Sequence, residues 1–287
     1  MRKWKLICNF VPMKHLLITL TLVLFSVSSF SQKASGPVKV DLWAHGEPNR
    51  NGDVRDTAQV YVYFPAANNN TGRAIVICPG GGYSHLSMTN EGHNWAEFFQ
   101  GQGITAVVLK YRMPHGNPQV PISDAEGAMR LVRANAAKWG VKNDQVGIMG
   151  FSAGGHLAST IATQSRGDAK PNFQILFYPV ISMMEGLTHQ GSLENFLGKH
   201  STKRMQRQYC SDIQVSRVTP RAFICLADDD QAVLPANGAS YYLELYKHDV
   251  PATFHVYPKG GHGFGFRQSF PYHLEMVLEL KAWLGSF

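Results

Sequence analysis

Five residues constrain this chain more than any others: Gly150-Phe151-Ser152-Ala153-Gly154. They stand between a strand-like run, Gln145–Met149, and a helix-length segment, His156–Gln164. A strand that turns sharply into a helix leaves no room for side chains two positions before or after the bend, so glycine is required at both places. The serine between them is held in a strained backbone conformation, and its hydroxyl is pushed out above the sheet.

The same alternation of strand and helix runs through most of the sequence. Strand-like runs are expected at Gln59–Phe64, Ala74–Cys78, Ile104–Leu109, Gln145–Met149, Phe173–Tyr178, Ala222–Leu226 and Thr253–Tyr257. Between or after them lie periodic segments of helix length at Asn94–Gly101, Ser123–Trp139, Gly154–Gln164, Ala239–His248 and His273–Trp283. The clearest is Ser123–Trp139, whose Ala125, Ala128, Met129, Val132 and Ala136 follow helical spacing. This order predicts an α/β fold, a mostly parallel sheet with helices on both faces. Runs such as Ala74-Ile75-Val76-Ile77 suit strands buried on both sides. In such sheets the chemistry gathers at the carboxyl ends of the strands. Residues 182–217 break the pattern with a polar, mixed stretch, expected to be either a small cap-like excursion near the site or an ordinary surface insertion.

Composition narrows the class. With 44% hydrophobic and 16% charged residues, the 287-residue chain suits a globule, not a disordered polymer. The net charge of +7 invites a nucleic-acid partner. However, Arg2, Lys3, Lys5 and Lys14 lie in residues 1–31, which hold no acid. Removing those four from 27 basic residues leaves 23 against 20 acidic ones, a net +3. No basic stripe interleaved with stacking aromatics follows, so no nucleic-acid partner is expected. Residues 1–31 read as a leader. Met13-Lys14-His15 gives a positive start, Leu16–Val27 an apolar run, and Ser29 and Ser31 the small residues before a cleavage site. Met13 is the expected start, and the run is too short for an ordinary membrane span, so no stable span is expected after cleavage. A secreted or periplasmic product follows, with residues 32–287 as one domain. Cys78, Cys210 and Cys225 leave an odd number of thiols after the leader; Cys78 and Cys225 end apolar strands and read as buried free thiols, while a disulfide between two of the three stays open. No Cys-x-x-Cys or His-Glu-x-x-His spacing occurs, so neither a metal nor a cofactor is expected.

Three further segments stand at strand ends. Pro79-Gly80-Gly81-Gly82-Tyr83 follows the run ending at Cys78, where a glycine run can bring backbone N–H groups to a developing oxyanion. Set against the His-Gly-Gly-Gly form of related hydrolases, with Pro79 in place of the histidine, Gly81 and Gly82 would donate together with the N–H of Ala153. Asp228-Asp229-Asp230 follows the run ending at Leu226; three adjacent acids repel one another, which disfavours a purely structural role. His262 stands in Lys259-Gly260-Gly261-His262-Gly263, after the last strand, where a glycine-rich loop lets an imidazole reach both a serine and an acid. His255 and His248 read as packing or surface residues.

The order Ser…Asp…His, together with Pro79–Tyr83, Lys110-Tyr111-Arg112, Gly150–His156, Asp228–Asp230 with Val233, and Gly260–Gly263, resembles the α/β-hydrolase fold of secreted bacterial carbohydrate esterases. These are the acetylxylan- and feruloyl-esterase-like proteins and the hormone-sensitive-lipase-like carboxylesterases. The resemblance spans roughly Val38 to the C-terminus. It implies a catalytic triad of Ser152, Asp230 and His262. In this group the acid stands three residues before a valine, which selects Asp230 over the runner-up Asp229. Pro235 departs from the group's pattern, because Leu234 intervenes after Val233. The resemblance further implies a serine esterase acting on small-molecule or oligosaccharide esters. These would be acetyl or feruloyl groups of plant polysaccharides such as xylan. Tyr83, His85, Tyr111 and Met113 are candidates to line the acyl or sugar pocket, and each is equally compatible with core packing. A serine peptidase or amidase on the same fold, or a non-catalytic binding protein, are the competing readings.

Overall fold

The computed structural model describes residues 36–44 and 46–287; the expected leader, its cleavage site and the Met13 start lie outside the described residues. Eight strands form one sheet in the order β1-β2-β4-β3-β5-β6-β7-β8. They are β1 Val38–Asp41, β2 Gln59–Tyr63, β3 Ala74–Cys78, β4 Thr105–Lys110, β5 Val146–Phe151, β6 Phe173–Phe177, β7 Arg221–Ala227 and β8 Ala252–Tyr257. β2 pairs antiparallel with β1 and β4, and every other pairing is parallel. The seven expected strands are present. β1 is an eighth that the sequence reading missed, four residues long and largely exposed at the sheet edge.

Alternation along the strands sorts the core into two layers. Val76, Val107, Ile148, Leu176 and Ile224 point to one face. There they meet α2 (Gln119–Ala134), α4 (Ser152–Gln164) and α7 (Ala236–Lys247) through Met129, Leu157 and Tyr241. Between α2 and α4 in sequence lies the four-residue α3, Ala136–Trp139. Ile75, Ile77, Val108, Phe151, Phe177 and Phe223 point the other way, onto Trp95 and Phe99 of α1 (Asn94–Gly101) and Met276 and Leu280 of α8 (His273–Leu284). Burying each such side chain stabilises the fold by roughly 1.5–3 kcal/mol, so both faces contribute.

Residues 182–217 carry two short helices, α5 (Gln190–Leu197) and α6 (Lys203–Gln208). Met183, Phe196, Tyr209 and Cys210 from this stretch pack into the same layer as α2 and α4. Cys78, Cys210 and Cys225 are free and buried. Among the described residues no helix is long and apolar enough to cross a membrane.

One buried ion pair ties the N-terminal segment to the sheet. Arg112, just after β4, is fully buried against Asp124 of α2 at 2.7 Å, and it also donates to the carbonyls of Pro48 and Asn49. Trp43 Nε1 donates to the same Asp124 oxygen, Oδ1, at 2.7 Å. All charge in this pair is thus matched by hydrogen bonds, the condition for tolerating ions in a core.

Candidate active site

Register brings the loops of the site together. Cys78 of β3 lies opposite Gly150 of β5. The glycine loop after β3 therefore runs beside the bend after β5. Loops after β6, β7 and β8 complete the same end of the sheet.

At the bend, Ser152 has φ +52, a left-handed value rare for a residue with a side chain. A Cβ at Gly150 would lie 2.1 Å from the Gly154 carbonyl, and one at Gly154 would lie 2.1 Å from that of Cys78. Both glycines are therefore dictated by backbone contact, as the sequence argument requires. Ser152 opens α4, whose first N–H groups have no partner within the helix.

The structure brings Ser152, His262 and Asp230 together. Ser152 Oγ is 2.8 Å from His262 Nε2, and His262 Nδ1 is 2.7 Å from Asp230 Oδ2. Asp230 is buried, and its Oδ1 accepts from the N–H groups of Ala232 and Val233 at 2.9 and 3.0 Å. This gives the spacing to Val233 a physical cause: the valine N–H helps fix the carboxylate. Asp229 does something else, accepting from Gly261 N–H at 2.7 Å and so holding the histidine loop. The intervening Leu234 is exposed, and Pro235 is the N-cap of α7.

Gly81, Gly82, Ser84, His85, Ser152, His189, Gly191, Asn195, His262 and Arg267 line a cleft of about 400 Å³. Among the described residues no hydrogen bond uses the N–H of Gly81, Gly82 or Ala153. Gly82 is fixed from the far side, its carbonyl accepting from Asn195 Nδ2 at 2.9 Å. A larger, open groove of about 800 Å³ lies at the opposite end of the sheet, around Arg133, Asp168 and Asn172, remote from Ser152.

Of the four pocket candidates, only His85 lines the cleft. Tyr83 and Tyr111 are fully buried and face inward. The Tyr111 hydroxyl donates to the Pro79 carbonyl at 2.7 Å, and that of Tyr83 meets His156 Nδ1 at 2.8 Å. Both therefore brace the glycine loop from beneath instead of meeting a ligand. Met113 is half-buried, with its N–H on Asp56 and its carbonyl on Asn51, away from the cleft. His255 pairs with Glu279 at 3.0 Å, and His248 meets the carbonyl of Glu244; neither reaches the site.

His156 is the pivot under the loop. Its Nε2 is 2.7 Å from the Tyr209 carbonyl, which can only accept, so Nε2 carries the proton and Nδ1 accepts from Tyr83. Phe196 stacks on Tyr83 with ring centroids 4.6 Å apart. One imidazole thus joins α4, the glycine loop and the 182–217 segment. Burial pushes it down to about 4, with the Tyr209 hydrogen bond pulling the other way. An unfolded histidine titrates near 6.5. Between these values the unfolded chain binds a proton that the fold refuses, so acid favours unfolding. Stability should be indifferent to this group above about pH 7. It should fall by up to about 3 kcal/mol as pH drops from 6.5 toward 4. Urea unfolding across that range checks this against His156→Gln, which should be less stable but less pH-sensitive. Identical pH slopes in the two proteins would refute it.

Sequence reasoning missed Glu91, Tyr178, Asn195 and Arg267 and noted His189 only as part of the 182–217 stretch. His189 caps α5, accepting from Ser192 N–H, and faces the cleft. Among the described residues no group of three metal-binding side chains is found.

The sheet order, the bend and the serine–imidazole–carboxylate line define an α/β-hydrolase architecture. Residues 75–266 match the alpha/beta hydrolase fold family, and the chain belongs to it. It is 45% identical over 233 residues to an acetylxylan esterase of Xylanibacter ruminicola, covering 80% of this chain and 48% of that protein. It is 28% identical over 239 residues to endo-1,4-beta-xylanase B of Butyrivibrio fibrisolvens, covering 78% of this chain and 37% of that one. The chain therefore spans about half the length, or less, of these two curated relatives. Among solved structures, an acetyl ester-xyloside bifunctional hydrolase from Caldicellulosiruptor lactoaceticus superposes with a TM-score of 0.81 at 30% identity, covering 89% of this chain and 98% of that one.

Proposed function

We propose that the protein is a carboxylic-ester hydrolase that removes acetyl groups from xylan-derived oligosaccharides through an acyl-enzyme on Ser152. One observation carries the reading: an unbroken line from Ser152 Oγ through His262 to the buried Asp230, at the edge of an open polar cleft. His262 Nε2 takes the serine proton as Oγ attacks the ester carbonyl. Asp230 holds Nδ1–H and stabilises the imidazolium. The unpaired N–H groups of Gly81, Gly82 and Ala153 receive the oxyanion. His262 returns the proton to the departing sugar hydroxyl, then activates the water that releases acetate.

The acetyl choice rests on what the X. ruminicola and C. lactoaceticus relatives are named for. The hydroxyl of Ser84 and the amide of Asn195 supply polar lining that a sugar would meet. We take residues 32–287 as one catalytic domain, with 182–217 forming one wall of its cleft. We take Leu16–Val27 as the core of an export signal. The test is product release from acetylated xylan oligosaccharides beside feruloylated arabinoxylan. Acetate should be released well ahead of ferulate. A fluorophosphonate probe should label Ser152 in the same preparation. Labelling without release of either acid would reject the substrate class, and absence of labelling would reject the serine chemistry.

A further inference from the structure

One carboxylate in the cleft has no part in those steps. Glu91 is 4% exposed and stands in a π-turn, Thr89–His93, that leads into α1. Such turns are rare and recur at functional sites. Its two oxygens reach two different segments. Oε2 accepts from Gly80 N–H at 2.8 Å, immediately before Gly81 and Gly82. Oε1 accepts from the Tyr178 hydroxyl at 2.8 Å. The Tyr178 oxygen in turn accepts from Gly265 N–H at 2.9 Å, three residues beyond His262. The Tyr178 ring lies edge-on to the His262 ring, with centroids 4.9 Å apart. Tyr178 pays for this placement with φ +35, uncommon for a residue with a side chain.

Neighbouring contacts point the same way. Asn90, next to Glu91, accepts from Phe266 N–H and donates to the Gly263 carbonyl, both at 3.2 Å. Gly80 cannot be larger, because a Cβ would lie 2.8 Å from Glu91 Oε2 and 2.9 Å from Ser152 Cβ. A buried carboxylate is costly unless its oxygens are hydrogen-bonded, and here each has a donor. Burial still raises the Glu91 carboxyl, with Tyr178 and Gly80 pulling it back. An apolar side chain of the same size would leave the Gly80 N–H and the Tyr178 hydroxyl without an acceptor.

We propose that Glu91, acting through Tyr178, is a positioning residue that fixes the distance between the oxyanion loop and the catalytic imidazole. The proposal rests on the serine-esterase reading above. Gly80 and Gly265 come from loops after β3 and β8, which are not neighbours in the sheet. Glu91 and Tyr178 span that gap, so that the N–H groups and His262 meet the same tetrahedral intermediate. Small misplacement of such groups costs rate, not binding.

The experiment compares Glu91→Gln, Tyr178→Phe and the double variant with wild type, on p-nitrophenyl acetate and with a fluorophosphonate probe. Glu91→Gln keeps the shape but turns an NH₂ group toward a donor. Its kcat should fall roughly 10- to 100-fold with KM within about threefold, and probe labelling should slow in proportion. Tyr178→Phe should lose about 5- to 10-fold in kcat, and the double variant should be little worse than Glu91→Gln alone, because both act through one chain of bonds. Wild-type kcat in folded Glu91→Gln, or a change confined to KM, overturns the proposal. If Glu91→Gln does not fold, Tyr178→Phe decides, and wild-type kcat there overturns it equally. Failure of the probe to label wild-type Ser152 would instead overturn the esterase reading itself.

Discussion

Ser152→Ala should lower kcat by a factor of at least roughly 10⁴ while the protein stays folded. The deleted atom is one hydroxyl oxygen, 2.8 Å from His262 and bonded to no other group among the described residues. Its removal leaves the imidazole facing an open cleft, where water can replace the lost partner, so stability should move by no more than about 1 kcal/mol. The strained φ of +52 costs alanine about as much as serine, because both carry a Cβ. Acetate release and circular dichroism on the same sample check both halves. Full turnover in the variant would remove Ser152 as nucleophile and, with it, the acyl-enzyme.

Asp230→Asn should cost about 10⁴-fold in kcat, far more than Asp229→Asn. Asp230 Oδ1 is committed to the Ala232 and Val233 N–H groups, so an asparagine there keeps its carbonyl oxygen on them. Its NH₂ then faces His262 Nδ1, where Oδ2 stood. A donor at that place forces Nδ1 to accept and puts the ring proton on Nε2. The nitrogen beside Ser152 Oγ can then no longer take the serine proton. Among the described residues the Asp229 side chain accepts only from the Gly261 N–H, which an asparagine oxygen can still receive, so Asp229→Asn should stay within about fivefold of wild type. Steady-state rates on one ester rank the two variants. The reverse order would move the acid to Asp229.

Much of the fold is legible because buried parallel strands are short apolar runs with sharp ends. β3 begins and ends where the sequence says it does. β1 is not legible: Val-Lys-Val-Asp alternates for only four residues at an exposed edge, too briefly to stand out from a loop. α2 begins four residues before its expected start, with Pro121 in its first turn. There proline has no hydrogen bond to lose.

The site divides along the same line. Ser152 and His262 announce themselves through glycines that the local backbone demands. Asp230 is picked out from its neighbours by spacing to Val233, whose reason is a local hydrogen bond. Tyr83 and Tyr111 sit where expected in the chain but turn inward, because the direction of a side chain after a strand is set by packing and not by sequence position. Glu91 carries no local signal at all. Its partner Tyr178 is 87 residues away, and the turn that carries it belongs to no common helical pattern.

The groups assigned to the reaction are drawn from loops after β3, β5, β7 and β8, four separate stretches of the sequence. Parallel pairing of this kind joins distant parts of the chain and closes slowly. Ser152 leaves the ribosome 110 residues before His262 does. In between, a growing chain holds the serine without the imidazole proposed to activate it. On the proposed mechanism, hydrolytic power waits for the loop that follows β8.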